Sequence, residues 1–211
     1  MHNWLTYILG GIRTESKTEA HTFEKTVIAN VKGEEVDLLP LAEDAIRRLG
    51  LLNTDQAVWL AESNSERFNE WSANIALAMR KQGVMLNARE RKELGLGRAM
   101  MSRSTWERID HEDTVNLVTR LETICTRIAI HAFKIADIQK YRREGTAAFG
   151  SQDKRLIITH DDHWGPPCST VCKHHLIGKR LLPKQVPNFP LEACSSAVCR
   201  CHFKAAWLED R

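Results

Sequence analysis

The stretch 113-DTVNLVTRLETICTRIAIHAFKIADIQKYRR-143 governs how the rest of the chain is read. Within it Leu117, Leu121, Ile124, Ile128, His131, Ile135 and Ile138 alternate spacings of four and three. Residues at that alternation fall on one stripe of an α-helix, because 3.6 residues complete a turn. The pattern predicts a long helix from about Asp113 to Arg143, with His131 as the polar member of its seam. Such a helix suits the centre of an antiparallel bundle, the reading preferred here, or one half of a coiled-coil dimer. Cys125 and His131 are expected in the core rather than as ligands.

Toward the N-terminus, residues from about 14 to 145 read as helical. Asn53 with Gln56, Ser63 with Glu66, Asn87 with Glu90 and Ser104 with Glu107 each have the form of a capping box. In that motif a short polar side chain caps the helix start and the residue three later reaches back to it. Gly50, Gly83 and Gly145 mark stops, since glycine adopts the left-handed conformation that ends a helix. Trp59, Phe68 and Trp71 are expected to face inward together. After Gly145 the helical period ends, glycine, proline and β-branched residues appear, and RLIIT (155–159) reads as a strand.

The fold class is therefore mainly α. A helical bundle is expected over residues 1–145 and a small C-terminal zinc-bound β-rich module over 154–211, with the boundary near 145–153. Cysteine usage supports the module. Five of the six cysteines, Cys168, Cys172, Cys194, Cys199 and Cys201, lie near the end of the chain, with His174, His175 and His202 among them. Thiolates and imidazoles at short spacings suit a tetrahedral zinc site. The preferred ligands are Cys172, Cys194, Cys199 and Cys201, with Cys168 or a nearby histidine such as His174 as the substitute. Pro183, Pro187 and Pro190 stiffen the connection between the two halves of the set. So short a segment buries little apolar surface, which couples Zn2+ binding to its folding. Unligated reduced cysteines and disulfides are the alternatives.

The run Gly178-Lys-Arg-Leu-Leu, then Pro187, Phe189-Pro-Leu191, Cys194-x4-Cys199-x-Cys201 and Asp210-Arg211 resembles a cysteine-rich C-terminal motif of short, uncharacterised bacterial proteins. The likeness covers about 35 residues. It implies a bacterial or phage origin and a small β-rich module, with no assigned activity. The terminal Cys-Arg-Cys is also similar to the end of phage Mu F-like head-morphogenesis proteins. Here Cys168-x3-Cys172 is one residue longer than in those proteins, and Ala197-Val198 stands where they carry His-Pro.

Function is less directly written. Residues 80–108 carry eight basic side chains against three acidic ones, including Arg89, Arg91, Lys92, Arg98 and Arg103. The favoured reading is two ordinary amphipathic helices whose arginines pair with acids elsewhere, and the alternative is the form helix, glycine-containing turn, helix. A DNA-binding unit of that form would set Ser102, Arg103, Ser104 and Thr105 at the start of its second helix, where base and phosphate contacts are made. Lys179, Arg180 and Lys184 would add to such a surface. His160-Asp-Asp-His163 is the best candidate for a catalytic divalent metal, which would make the chain a metal-dependent hydrolase or nuclease. A solvated turn after a strand, whose histidines could add a ligand to the zinc module, is the commoner meaning of such a run. No P-loop, dinucleotide-binding glycine pattern or nucleophile elbow is present in the sequence.

Composition is that of an ordinary globular chain, with 43% hydrophobic and 27% charged residues, and the net charge of +3 permits an acidic partner without demanding one. Neither a membrane span nor a signal peptide is read, so a cytoplasmic location, or a virion if phage-encoded, is expected. The favoured function is a non-enzymatic binding or adaptor component of a larger protein or nucleoprotein assembly. Nucleic-acid binding through 80–108 and hydrolysis at His160–His163 are the alternatives.

Overall fold

A computed structural model describes residues 25–110, 116–147, 154–160, 177–182, 185–189, 191, 194, 196–198 and 201–207. The protein is mainly helical, as expected, but its described part opens with strands. β1 (Ile28–Val31) pairs antiparallel with β2 (Glu34–Asp37), from Ile28 opposite Asp37 to Val31 opposite Glu34. This corrects the reading of the chain as helical from about residue 14, of which residues before 25 lie outside the described ones. Val27, Ala29 and Val31 are buried while Ile28 and Asn30 are exposed, the two-residue period of a strand. The turn is Lys32-Gly33, both at positive φ (+54° and +85°), which matches the twist of a two-residue hairpin.

α1 (Leu39–Leu49) begins with Pro40 in its first turn and ends at Gly50, whose φ of +59° lets its N–H reach the Ile46 carbonyl at 2.8 Å. Asp37 Oδ1 accepts the backbone N–H groups of Leu39 and Val27, tying hairpin to helix. A 3-10 turn, Thr54–Gln56, leads into α2 (Ala57–Glu66), followed by α3 (Ser72–Arg80), α4 (Ala88–Glu93) and α5 (Arg103–Trp106). Of the four expected capping boxes, only that of Asn87 and Glu90 forms, with both reciprocal bonds. Asn53 makes no capping bond, Ser63 lies inside α2, and α5 is capped by Ser102 rather than Ser104.

α6 (Leu117–Ala147) is the predicted long helix, and it runs through Gly145 instead of stopping there. Its seam is buried as read: Leu117, Leu121, Ile124, Ile128, His131 and Ile138 are in the interior, with Ile135 partly so. Burying each Leu or Ile contributes on the order of 1.5–3 kcal/mol. α6 packs against α1, α2, α3 and both strands of the hairpin. It is the spine of the helical body.

Beyond α6 lies a three-stranded antiparallel sheet in the order β4 (Arg180–Leu181), β3 (Lys154–His160), β5 (Cys201–Trp207). The expected strand 155–159 falls within β3. Two apolar clusters result. The larger joins the hairpin, α1, α2, α3 and the N-terminal two-thirds of α6. The smaller contains Ile138 and Tyr141 of α6 with Ile158, Val186, Phe189, Cys194 and Cys201, and Ile135 packs against both. The core of the C-terminal part is thus completed by α6 and is not confined to 154–211. Among the described residues no helix is long and apolar enough to cross a membrane.

Candidate functional site

The best-organised polar constellation lies where α1, α6 and the cysteine-bearing loop meet. Asp44 of α1 is buried. Its Oδ1 accepts from Arg48 Nε at 2.6 Å and Arg47 Nη2 at 3.0 Å. Its Oδ2 accepts from Arg127 Nη2 at 2.7 Å and Nε at 3.0 Å. The Arg127 side chain is 0% exposed. Both arginines then reach into the loop. Arg127 Nη1 donates to the carbonyls of Ser196 (2.6 Å) and Ala197 (2.9 Å). Arg48 donates to the carbonyls of Leu191 and Cys194. Burial by itself raises the Asp44 pKa, but the hydrogen bonds from Arg48 and Arg127, the Arg127 charge and the Arg47 bond outweigh it and hold the carboxyl below its ordinary value. One ionised carboxylate therefore orients two planar donors that grip four carbonyls around Cys194.

Helical spacing places Asp44 and Arg48 on one face of α1, four residues apart. The sequence reading missed this group. Its available signal was Arg127, the single Asp, Glu, Lys or Arg between Glu122 and Lys134 in an otherwise apolar helix. Two further α6 cations hold the same region. Arg142 Nη2 donates to the Val186 carbonyl at 2.9 Å, and Lys134 lies over the Phe189 ring at 5.9 Å.

Of the expected zinc ligands, Cys194 and Cys201 are both 0% exposed and belong to the smaller apolar cluster. Cys168, Cys172, His174 and Cys199 lie outside the described residues, as do Asp161, Asp162 and His163. Among the described residues no three His, Cys, Asp or Glu side chains assemble as a metal site. The donor type at Cys194 and Cys201 fits zinc, since thiolates shielded from water are the usual ligands of structural sites. Cys125 is a core residue, as expected. It lies 3.7 Å from the Met79 sulfur, and burial pushes its thiol up to about 12.

The basic segment departs from the helix-turn-helix alternative considered for it. α4 has six residues and α5 four, so the second helix is a single turn with no length to lie along a groove. Hydroxyl and amide groups of this stretch satisfy carbonyls at the end of α3 and just beyond it. Thr105 Oγ1 donates to Met79 O at 2.6 Å, Ser102 N to Arg80 O at 2.7 Å and Ser104 Oγ to Gln82 O at 2.6 Å. The last carbonyls of a helix have no intrahelical partner, and this is how α3 meets that need. Arg103 pairs with Glu90, and Arg89 with Glu93 at 2.8 Å. Arg91 is half-buried, whereas Lys92 and Arg98 are exposed.

Two paired stretches, 84–86 and 101–103, border this segment, joined through Leu86 N to Met101 O (2.9 Å) and Arg103 N to Val84 O (2.8 Å). On and beside them Val84, Met85 and Met100 are exposed. Of the three aromatics expected inside, Phe68 is buried and Trp59 is partly buried, with Arg108 stacked 4.8 Å over its ring. Trp71 is 84% exposed, contrary to expectation. It sits at the extended N-cap of α3, where its carbonyl accepts from Asn74 and Ile75 and its side chain is carried off the bundle.

Comparison with protein-family models, curated proteins and solved structures yields no match.

Proposed function

We propose that this chain is a non-enzymatic binding component of a larger bacterial or phage assembly, stiffened by one structural zinc ion in its cysteine module. The observation that carries the reading is the exposure of Val84 (77%), Met85 (39%) and Met100 (41%) on neighbouring segments. In sequence they lie among the exposed cations Lys81, Lys92 and Arg98, and the exposed Arg89, which pairs with Glu93. Single exposed apolar side chains are ordinary, but several together within a charged rim mark interaction surfaces. The rim selects an acidic partner and the methionines adapt to its shape. The Arg48–Asp44–Arg127 group supports a structural role for the module, because it anchors the module's loop rather than facing a substrate cleft.

The test is affinity capture of the full chain from its native host. A protein partner is expected to be retained by the parent and lost with Val84→Asp and Met100→Asp, while the fold, followed by circular dichroism, is unchanged. Retention by both variants overturns the docking surface.

A second reading is favoured by Lys92 and Arg98, which are exposed on the same segment. If that surface binds nucleic acid, captured material is nuclease-sensitive and its affinity falls steeply with salt. Arg91→Ala, Lys92→Ala and Arg98→Ala then abolish capture while Val84→Asp does not.

A further inference from the structure

We infer that the cavity between α6, the start of α1 and segment 187–189 binds a small, neutral, largely apolar molecule carrying one N–H or O–H donor, of the size and chemistry of an indole ring. The inference stands apart from both the docking surface and the zinc proposed above.

Helical spacing builds one wall. Ile135, Ile138, Gln139 and Arg142 follow one another at intervals of three, one and three and so share a face of α6. Val36 and Leu41 contribute a second wall from β2 and α1, and Phe189 a third. The cavity measures about 350 Å3 and lies where the two apolar clusters meet. Val36 and Leu41 belong to the larger cluster, Ile138 and Phe189 to the smaller, and Ile135 packs against both. A mainly apolar recess of this size, at a junction between packed units and with a few polar groups in its lining, is the usual form of a small-molecule site.

The polar lining sets the chemistry. Asp37 Oδ1 accepts the N–H groups of Val27 and Leu39, and Arg142 Nη2 donates to the Val186 carbonyl. These two charged residues of the lining are thus tied to backbone. They are also of opposite sign, so a charged ligand is drawn to one and repelled by the other. Gln139 differs from both. Its Nε2 donates to the Glu35 carbonyl at 3.3 Å, and because a carbonyl only accepts, that bond fixes which end of the amide faces β2. The other end, Oε1, is buried and accepts no hydrogen bond. A buried acceptor left without a donor is costly, whereas one that gains a donor contributes to affinity. A ligand with an apolar ring and a single N–H meets both needs: the ring covers the walls and the N–H reaches Gln139 Oε1.

The experiment titrates the full chain with indole and with benzofuran, an isostere without the N–H, by calorimetry. The parent should bind one indole per chain saturably, and about fivefold more tightly than benzofuran. Gln139→Leu should still bind benzofuran but lose the preference for indole. Asn188→Trp, at an exposed residue of the lining, should block both ligands with an unchanged circular dichroism spectrum. Val84→Asp should bind indole as the parent does, which separates this site from the docking surface. Indole should also shift the Gln139 side-chain amide resonances in the parent, and this decides the donor contact alone should Gln139→Leu fail to fold. Benzofuran bound as tightly as indole by the parent, or Gln139 resonances that do not move, overturn the donor assignment. Absence of saturable binding, parent-like binding by Asn188→Trp, or loss of binding in Val84→Asp overturns the site.

Discussion

Arg127 gives two of its nitrogens, Nε and Nη2, to a single oxygen of Asp44 at 3.0 and 2.7 Å, although the two residues are 83 positions apart. Its third nitrogen holds the loop carbonyls of Ser196 and Ala197. The guanidinium is thus a three-way joint between α1, α6 and the cysteine loop, and each face of its planar fork is used. Because the pair is buried, each charge depends on the other to compensate lost solvation.

Removing both partners should therefore cost less than the sum of removing each alone. Arg127→Met leaves Asp44 buried with less than its full set of donors, and a loss of about 3–5 kcal/mol is expected in urea denaturation of the full chain. Asp44→Ala should cost a similar amount. The double variant should be clearly less destabilised than the sum of the two. Strict additivity would show that the two residues do not act as a pair.

Asp44 also predicts the acid limb of stability. Its folded carboxyl titrates below its ordinary value. Near pH 4 the unfolded chain consequently binds more protons at this site than the folded one, and stability rises with pH there. The contribution is present above the unfolded pKa of about 4 and is lost as pH falls through the lower folded value. Asp44→Asn should flatten the stability profile over this acid range. An unchanged slope would place the acid sensitivity elsewhere.

Gly83 should resist substitution. Its φ is +98°, and a Cβ there would come within 2.9 Å of Ser104 Oγ, which itself donates to Gln82 O. Gly83→Ala is expected to lose about 1–3 kcal/mol in thermal or urea unfolding. Gly97, with φ of +57° and open space around it, serves as the comparison. Gly97→Ala carries backbone strain alone, about 1–2 kcal/mol. Equal losses at the two sites would remove the Ser104 contact from the explanation.

Cys125 should be chemically inert in the folded protein. With its thiol raised to about 12 and its side chain buried, essentially no thiolate is present at pH 8. Iodoacetamide treatment followed by mass spectrometry should leave Cys125 unmodified in native protein and alkylated in denaturant. Rapid native labelling would mean that α6 opens locally.

Much of the helical body was legible because its rules are local. The seam of α6 depends on residues three and four apart, and every seam position is buried or partly buried as read. The Gly50 stop and the Asn87–Glu90 capping box are likewise as the sequence predicts, since each is decided within one turn of backbone. The hairpin was missed although Val27, Ala29 and Val31 alternate, because three apolar residues are too few to separate a strand from a helix edge by period alone. Trp71 was misplaced because its helix, α3, begins one residue after it, so helical spacing did not apply.

The candidate site divides along the same line. Sequence by itself determined the identity of the thiols near the C-terminus and the single charge in the middle of α6, since residue type and spacing carry that information. Tertiary structure decided which of them meet. Asp44 finds Arg127 across 83 positions, the loop carbonyls around Cys194 find Arg48 across 146, and Thr105 turns inward to the end of α3 across 26. The reason is that a buried polar group takes whichever partner the packed chain brings within about 3 Å, and that choice is made by the fold as a whole, not by neighbours in sequence.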